Sequence, residues 1–209
     1  MLRSDLWAIR EVLINREDAL VALPITTDAV TWLTMASALD VPDLVALGDA
    51  MLTDGGSTRA ALEAAVRTWG DGRGGRTARA ALPLLRRGAM SRPETLLRLQ
   101  IVAAGLPEPH INVLVADSAG RPVFRPDLSW PDSRVLVEYE GDGHRLSRAK
   151  FRSDIDRMEA FVDAGWTGLR ATGDDVFARP NRFLARLHRR MVERGLRPRE
   201  LRQVAAARH

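Results

Sequence analysis

The 209-residue chain predicts an α/β protein, with a mostly helical N-terminal unit over 1–88 followed by a domain over 91–209 whose central mixed β-sheet is flanked by helices. Three observations carry this expectation. Between Thr26 and Arg87 the apolar residues recur at three- and four-residue steps, the period of a helix with one buried side. From Arg125 to Glu140 two strand-like runs, the second alternating at a period of two, flank Pro131-Asp132-Ser133, a break short enough for an antiparallel hairpin. A helical pattern over 146–164 then leads into Trp166-Thr167-Gly168-Leu169-Arg170-Ala171, and a strand reached through a helical crossover pairs parallel to its predecessor.

Taken in order, Leu6, Ile9, Val12 and Leu13 stand at helical spacing, and Ala19 to Ile25 forms a short strand ended by Pro24. Thr27 is placed to cap a helix ending near Asp40, with Val30, Leu33, Met35, Ala36 and Leu39 on its buried side. Pro42 suits the first turn of a second helix, which Asp54-Gly55-Gly56 breaks. Ser57 is placed to cap a third helix reaching Trp69, and a fourth spans Thr77 to Arg87. The run Gly70 to Arg76 between them reads as a flexible linker, since no strand leads into it and no Gly-Lys-Ser/Thr follows. Trp7, Trp32 and Trp69 are expected in the core.

Gly88 to Ser91 is the expected domain boundary. Ser91-Arg92-Pro93-Glu94 forms a capping-box pattern opening a helix that Gly105 ends. His110 to Asp117 reads as one strand, with Asp117 shaping the turn that follows through its side-chain oxygen. In the helix to Ala164, Leu146, Phe151, Ile155, Met158, Phe161 and Val162 are expected to face the sheet. A short helical turn over Thr172 to Phe177 and a terminal helix from Pro180, burying Phe183, Leu184, Leu187 and Met191, complete the domain.

Composition narrows the classes of function. An apolar content of 45% with 28% charged residues describes an ordinary globular protein. The absence of cysteine excludes disulfides and thiolate chemistry, as suits a reducing cytoplasm. Arg10, Glu11, Arg16, Glu17 and Asp18 interrupt any leader-like apolar run, and no stretch is long enough to span a bilayer, so the expectation is a cytoplasmic protein without a membrane partner. The net charge of +4 is unevenly spread. Residues 176–209 hold ten arginines against Glu193 and Glu200, a balance of +8 that leaves −4 for the rest. A basic end beside an acidic centre suggests a polyanionic partner, and a solvated basic helix face is the alternative.

The acidic centre lies in the hairpin. Alternation sends Val135, Val137 and Tyr139 to one face of their strand and Leu136, Glu138 and Glu140 to the other. Asp127, at a similar distance from the turn on the partner strand, is expected to converge on the same place, and carboxylates so crowded need a cation among them. Magnesium, or manganese in its stead, suits an all-oxygen set. The chain shows no serine elbow, no His-Glu-x-x-His and no nucleotide fingerprint, so no small-molecule cofactor is expected.

Pro126-Asp127 followed by Glu138-Tyr139-Glu140 resembles the PD-(D/E)XK nuclease signature. With Ser91-Arg92-Pro93-Glu94 opening a helix, Gly105-Leu106-Pro107 closing it, and Gly141 and His144 after the acids, residues from about 91 to 177 resemble the very-short-patch-repair-like endonuclease domains of actinobacteria. The resemblance implies a restriction-endonuclease-like fold and a magnesium-dependent hydrolase acting on DNA. It implies that Asp127, Glu138 and Glu94 lie at the metal, Glu94 competing with its role as a plain cap. Glu140 becomes a further ligand or water-orienting base, and His144 a general acid or base. Arg148, Lys150 and Arg152 would contact backbone phosphates. The family has lysine where this chain has Glu140, so a catalytically silent, antitoxin-like DNA-binding module is the alternative. In the family a winged-helix-like domain precedes the helical region, so the expectation is that this domain is absent here or that the sequence is truncated.

Overall fold

The computed structural model describes residues 10–16, 19–52, 56–69, 72–141, 159–197 and 201–208. The chain divides into two compact units, Met1–Arg87 and Gly88–His209.

The first unit opens with an antiparallel hairpin of β1, Arg10–Arg16, and β2, Ala19–Ile25. Strand β1 replaces the helix expected from Val12 and Leu13, because two residues separate it from β2 and ladder pairing overrides a short helical spacing. Pro24 lies inside β2 opposite Glu11 rather than ending it. Four helices follow: α1 (Asp28–Met35), α2 (Val41–Met51), α3 (Arg59–Trp69) and α4 (Gly75–Ala81). Thr27 caps α1 as expected, its hydroxyl accepting from Val30 N, and Asp40 caps α2 by accepting from Asp43 N at 3.1 Å. Trp32 is fully buried and donates its indole N–H to Leu44 O at 2.8 Å.

Three details of this unit depart from expectation. The cap of α3 is Thr58, whose hydroxyl accepts from Ala61 N, and not Ser57. Helix α4 stops at Ala81, because Pro83 lacks the N–H that an α-helix needs and the chain tightens into a 3-10 turn over Leu82–Leu84. Gly74 is no slack linker residue. Its φ is +85°, and a Cβ there would lie 2.7 Å from Ala36 C and Ser37 N, so only glycine lets the backbones meet.

The second unit is built on a four-stranded mixed sheet in the order β3-β6-β7-β8. These strands are β3 (His110–Ile111), β6 (Leu128–Trp130), β7 (Val135–Glu140) and β8 (Thr167–Thr172), and β4 (Val115–Ala116) with β5 (Pro122–Phe124) forms a separate hairpin. The expected pairing holds: β6 runs antiparallel to β7, and β7 parallel to β8. One face carries Leu128, Val135, Val137, Leu169 and Ala171 against α5 (Arg92–Ala103), α6 (Gly173–Phe177) and α7 (Pro180–Glu193). The other carries Leu136 against Val115, Phe161, Ala164 and Trp166. Both faces are thus covered, with Phe183, Leu184, Leu187 and Met191 of α7 in the larger core as expected.

The single strand expected from His110 to Asp117 is two short ones in different sheets. Asn112 breaks it at a φ of +49°, which a short polar side chain tolerates. Phe161 faces the sheet but Val162 is exposed, since neighbouring helical residues diverge by about 100°. Beyond α7 the chain leaves the helix at Gly195, and 201–208 lies back over the core. There Arg202 N donates to Ala104 O, Ala207 N to Val176 O, and Asn181 exchanges two hydrogen bonds with the Val204 backbone.

Candidate active site

The acids occupy the end of β7 where burial gives out. Val135, Leu136 and Val137 are buried, whereas Glu138, Tyr139 and Glu140 are partly exposed. Tyr139 packs with Val135 and Val137, and Leu136 lies in the opposite core, so Glu138 and Glu140 share the face of Leu136 as the alternation requires. Leu128 pairs with Val137, and continuing that register by one residue sets Asp127 opposite Glu138.

Asp127 is fixed by an unusual use of its side chain. Its Oδ2 accepts the Tyr139 N–H at 2.7 Å, a short charge-assisted bond that stands in for the ladder just beyond Leu128. The neighbouring strand β8 supplies a cation. Glu138 is in register with Arg170 and Glu140 with Thr172, and Arg170 Nη1 lies 3.5 Å from Glu140 Oε2. The Arg170 backbone is held in turn, its carbonyl accepting from Arg186 Nη2 at 2.8 Å, while Arg186 also faces Asp175.

Glu94 is almost completely buried at the start of α5. Its Oε1 accepts from the Ser91 hydroxyl and its Oε2 from Met90 N and from Asn112 Nδ2, at 2.8 to 3.0 Å. Ser91 Oγ accepts from Glu94 N as the expected capping box requires, while Glu94 reaches back to the Ser91 hydroxyl and to the Met90 amide. Asn112, which the sequence did not single out, joins this cap to the hairpin. Its side chain donates to Gly88 O and Glu94 Oε2, and its backbone N–H donates to Asp127 O at 2.9 Å. Glu94 is therefore one residue removed from Asp127 through Asn112. An isolated asparagine within a strand-like run was its only signal.

The structure sets Arg170 beside Glu140 and in register with Glu138, holds the Asp127 carboxylate on the Tyr139 amide, and joins Glu94 to Asp127 through Asn112. Among the described residues, no group of three or more His, Asp or Glu side chains is close enough to enclose a metal ion. One or two carboxylates, with water and substrate oxygens completing the shell, are nonetheless the usual protein share of a magnesium site. His144, Arg148, Lys150 and Arg152 lie outside the described residues. Part of the basic C-terminal region is committed to the fold: Arg179 pairs with Asp174, Arg190 with Glu193, and Arg194 donates to Thr167 Oγ1 and Gly165 O. Among the described residues no helix is long and apolar enough to cross a membrane.

Comparison with known proteins leaves these residues as the main guide to function. No family model matches the chain, and no solved structure matches it. Two uncharacterized proteins of Mycobacterium tuberculosis, Rv2248 of strain H37Rv and MT2308 of strain CDC 1551, are each 32% identical to it over 166 residues. The alignment takes in 79% of this chain and 61% of each relative, so the chain spans about three-fifths of the length of the curated relatives it matches.

Proposed function

We propose that this chain is a metal-dependent DNA endonuclease with a restriction-endonuclease-like domain of the PD-(D/E)XK type. The observation that carries the reading is the register of the sheet. Continued one residue beyond β6, it sets Asp127 level with Glu138 of β7, at the half-exposed end of a mixed sheet covered by helices on its larger core face. The donors are hard oxygens, as magnesium prefers, and two carboxylates leave coordination positions for water and phosphate. Asp127 and Glu138 would hold the magnesium, which when bound would polarise the phosphodiester and activate the attacking water. Glu140, on the same face, accepts the proton of the attacking water. Glu94 braces Asp127 through Asn112, so the reading gives it a supporting position at the metal.

Nicking of supercoiled plasmid in millimolar magnesium or manganese tests the proposal. Wild type is expected to nick, and Glu138→Gln, isosteric but uncharged, to lose at least about a hundredfold in rate with an unchanged melting temperature. Equal rates in the two proteins would sink the reading. The second reading, a silent DNA-binding module, draws on Glu140, which stands where the resembled signature has lysine and pairs with Arg170. Wild type that binds duplex DNA without divalent metal and never nicks it would favour that module.

A further inference from the structure

We propose that Arg170 is the catalytic cation of this site, contacting the non-bridging oxygens of the scissile phosphate. The inference rests on the endonuclease reading and adds a residue to it. Glu138 and Glu140 on one face repel a phosphodiester, and a cation on a neighbouring element offsets that repulsion beside the metal. Position 140, on the same strand as Glu138, adds a negative charge instead. Strand β8 lies parallel to β7 and sets Arg170 in register with Glu138. Leu169 and Ala171 are buried in the core of the opposite face, so alternation turns Arg170 to the face of Glu138 and Glu140.

Three features suit the guanidinium to an anion that arrives and leaves. Its contact with Glu140 is long, at 3.5 Å, and both side chains are about one third exposed, at 34% and 35%. Such a solvated pair is weak and exchanges at little cost. A guanidinium presents five N–H donors in a planar fork that matches two oxygens of one phosphate. The backbone of Arg170 is anchored by Arg186, so the side chain extends from a fixed point.

In the step so assigned, a water oxygen forms a bond to phosphorus and the bond from phosphorus to the leaving deoxyribose oxygen breaks. The water's proton passes to the Glu140 carboxylate, and the leaving oxygen takes a proton from solvent. Arg170 meets the negative charge that gathers on the non-bridging oxygens, where a preorganised donor acts most strongly. As phosphate approaches, the guanidinium moves from Glu140 to the phosphate.

Single-turnover cleavage of supercoiled plasmid by the full chain, in magnesium and in manganese, tests this with wild type, Arg170→Ala, Arg170→Lys and Glu140→Arg/Arg170→Glu. Arg170→Ala is expected to cleave about a hundredfold more slowly, with a melting temperature near wild type. Guanidinium chloride at millimolar concentration is expected to restore part of that loss. Arg170→Lys is expected to fall between, because an ammonium keeps the charge and loses the fork. The charge-swapped double variant restores the ion pair and is expected to stay inactive; recovery of activity in it would make Arg170 a structural counter-ion and overturn the proposal. Arg170→Ala within threefold of a cleaving wild type would overturn it too, with the endonuclease reading intact. Should Arg170→Ala fail to fold, Arg170→Lys decides alone: a wild-type rate refutes, a tenfold loss with a native melt supports. A wild type that does not cleave in either metal removes the endonuclease reading and this inference together.

Discussion

Replacing Asp127 in two ways separates its charge from its hydrogen bond. Asp127→Ala removes both, whereas Asp127→Asn removes the charge and keeps an amide oxygen able to accept the Tyr139 N–H that Oδ2 now takes at 2.7 Å. A hydrogen bond to a charged group contributes about 1.5–3 kcal/mol, and the partial exposure of both residues places this one near the lower end, about 1.5 kcal/mol. At about 2–4 °C per kcal/mol for a chain of this size, Asp127→Ala should melt roughly 3–6 °C below wild type. Asp127→Asn should lose no more than about half of that, a neutral acceptor being weaker than a carboxylate. Hydrogen exchange reads the same bond directly. The Tyr139 amide should exchange about tenfold faster in Asp127→Ala, with a smaller change in Asp127→Asn. Under the endonuclease reading both variants lose magnesium binding by calorimetry and plasmid nicking. If the two melt alike and protect Tyr139 alike, Asp127 does not hold the end of β7, and the account of how the site is positioned fails.

Two predictions concern stability away from the acids. Gly74→Ala forces a side chain into a left-handed backbone and against Ala36 and Ser37, and should cost the N-terminal unit about 2–4 kcal/mol in urea unfolding; a loss below about 0.5 kcal/mol would refute the close approach. In the β4–β5 turn, Asp117 accepts from Arg121 N and Ala119 N and from the Arg121 guanidinium. The backbone bond from Arg121 leads the causes that hold its carboxyl below the ordinary 3.8, burial opposing them. Because the folded pKa is the lower one, this contribution to stability is complete above the unfolded pKa and is lost as pH falls through the folded pKa. Amide exchange at Ala119 and Arg121, corrected for intrinsic rates, should therefore accelerate as pH drops below about 4. Asp117→Asn should show no such step, and an identical step in that variant would assign it to another group.

The locally determined parts of this protein were legible in the chain because their causes lie within a few residues of one another. Thr27 and Ser91 cap the helices they precede, each hydroxyl accepting from the amide three positions on. Asp117 forms its turn through bonds that span no more than four residues. The alternation from Val135 to Glu140 sorts apolar from acidic side chains because successive Cβ atoms point to opposite faces whatever the neighbours are. Local pattern misled where neighbours outvoted it. Strand β1 formed from residues at helical spacing because a partner strand lay two residues away, and the run from His110 to Asp117 split because Asn112 ties itself to Gly88 and Glu94.

What only the tertiary structure decided is which residues surround the acids. Thirty-two positions separate Glu138 from Arg170, and nothing in either segment specifies their register; the parallel pairing of β7 and β8 does. The same holds for Asp127, whose carboxylate completes a ladder, and for Asn112, which links that aspartate to Glu94 across three elements. Residue types and spacing named the carboxylates, since side-chain chemistry and strand period are local properties. The cation beside them and the bonds that hold them belong to strand pairing, which is set by burial of the whole sheet.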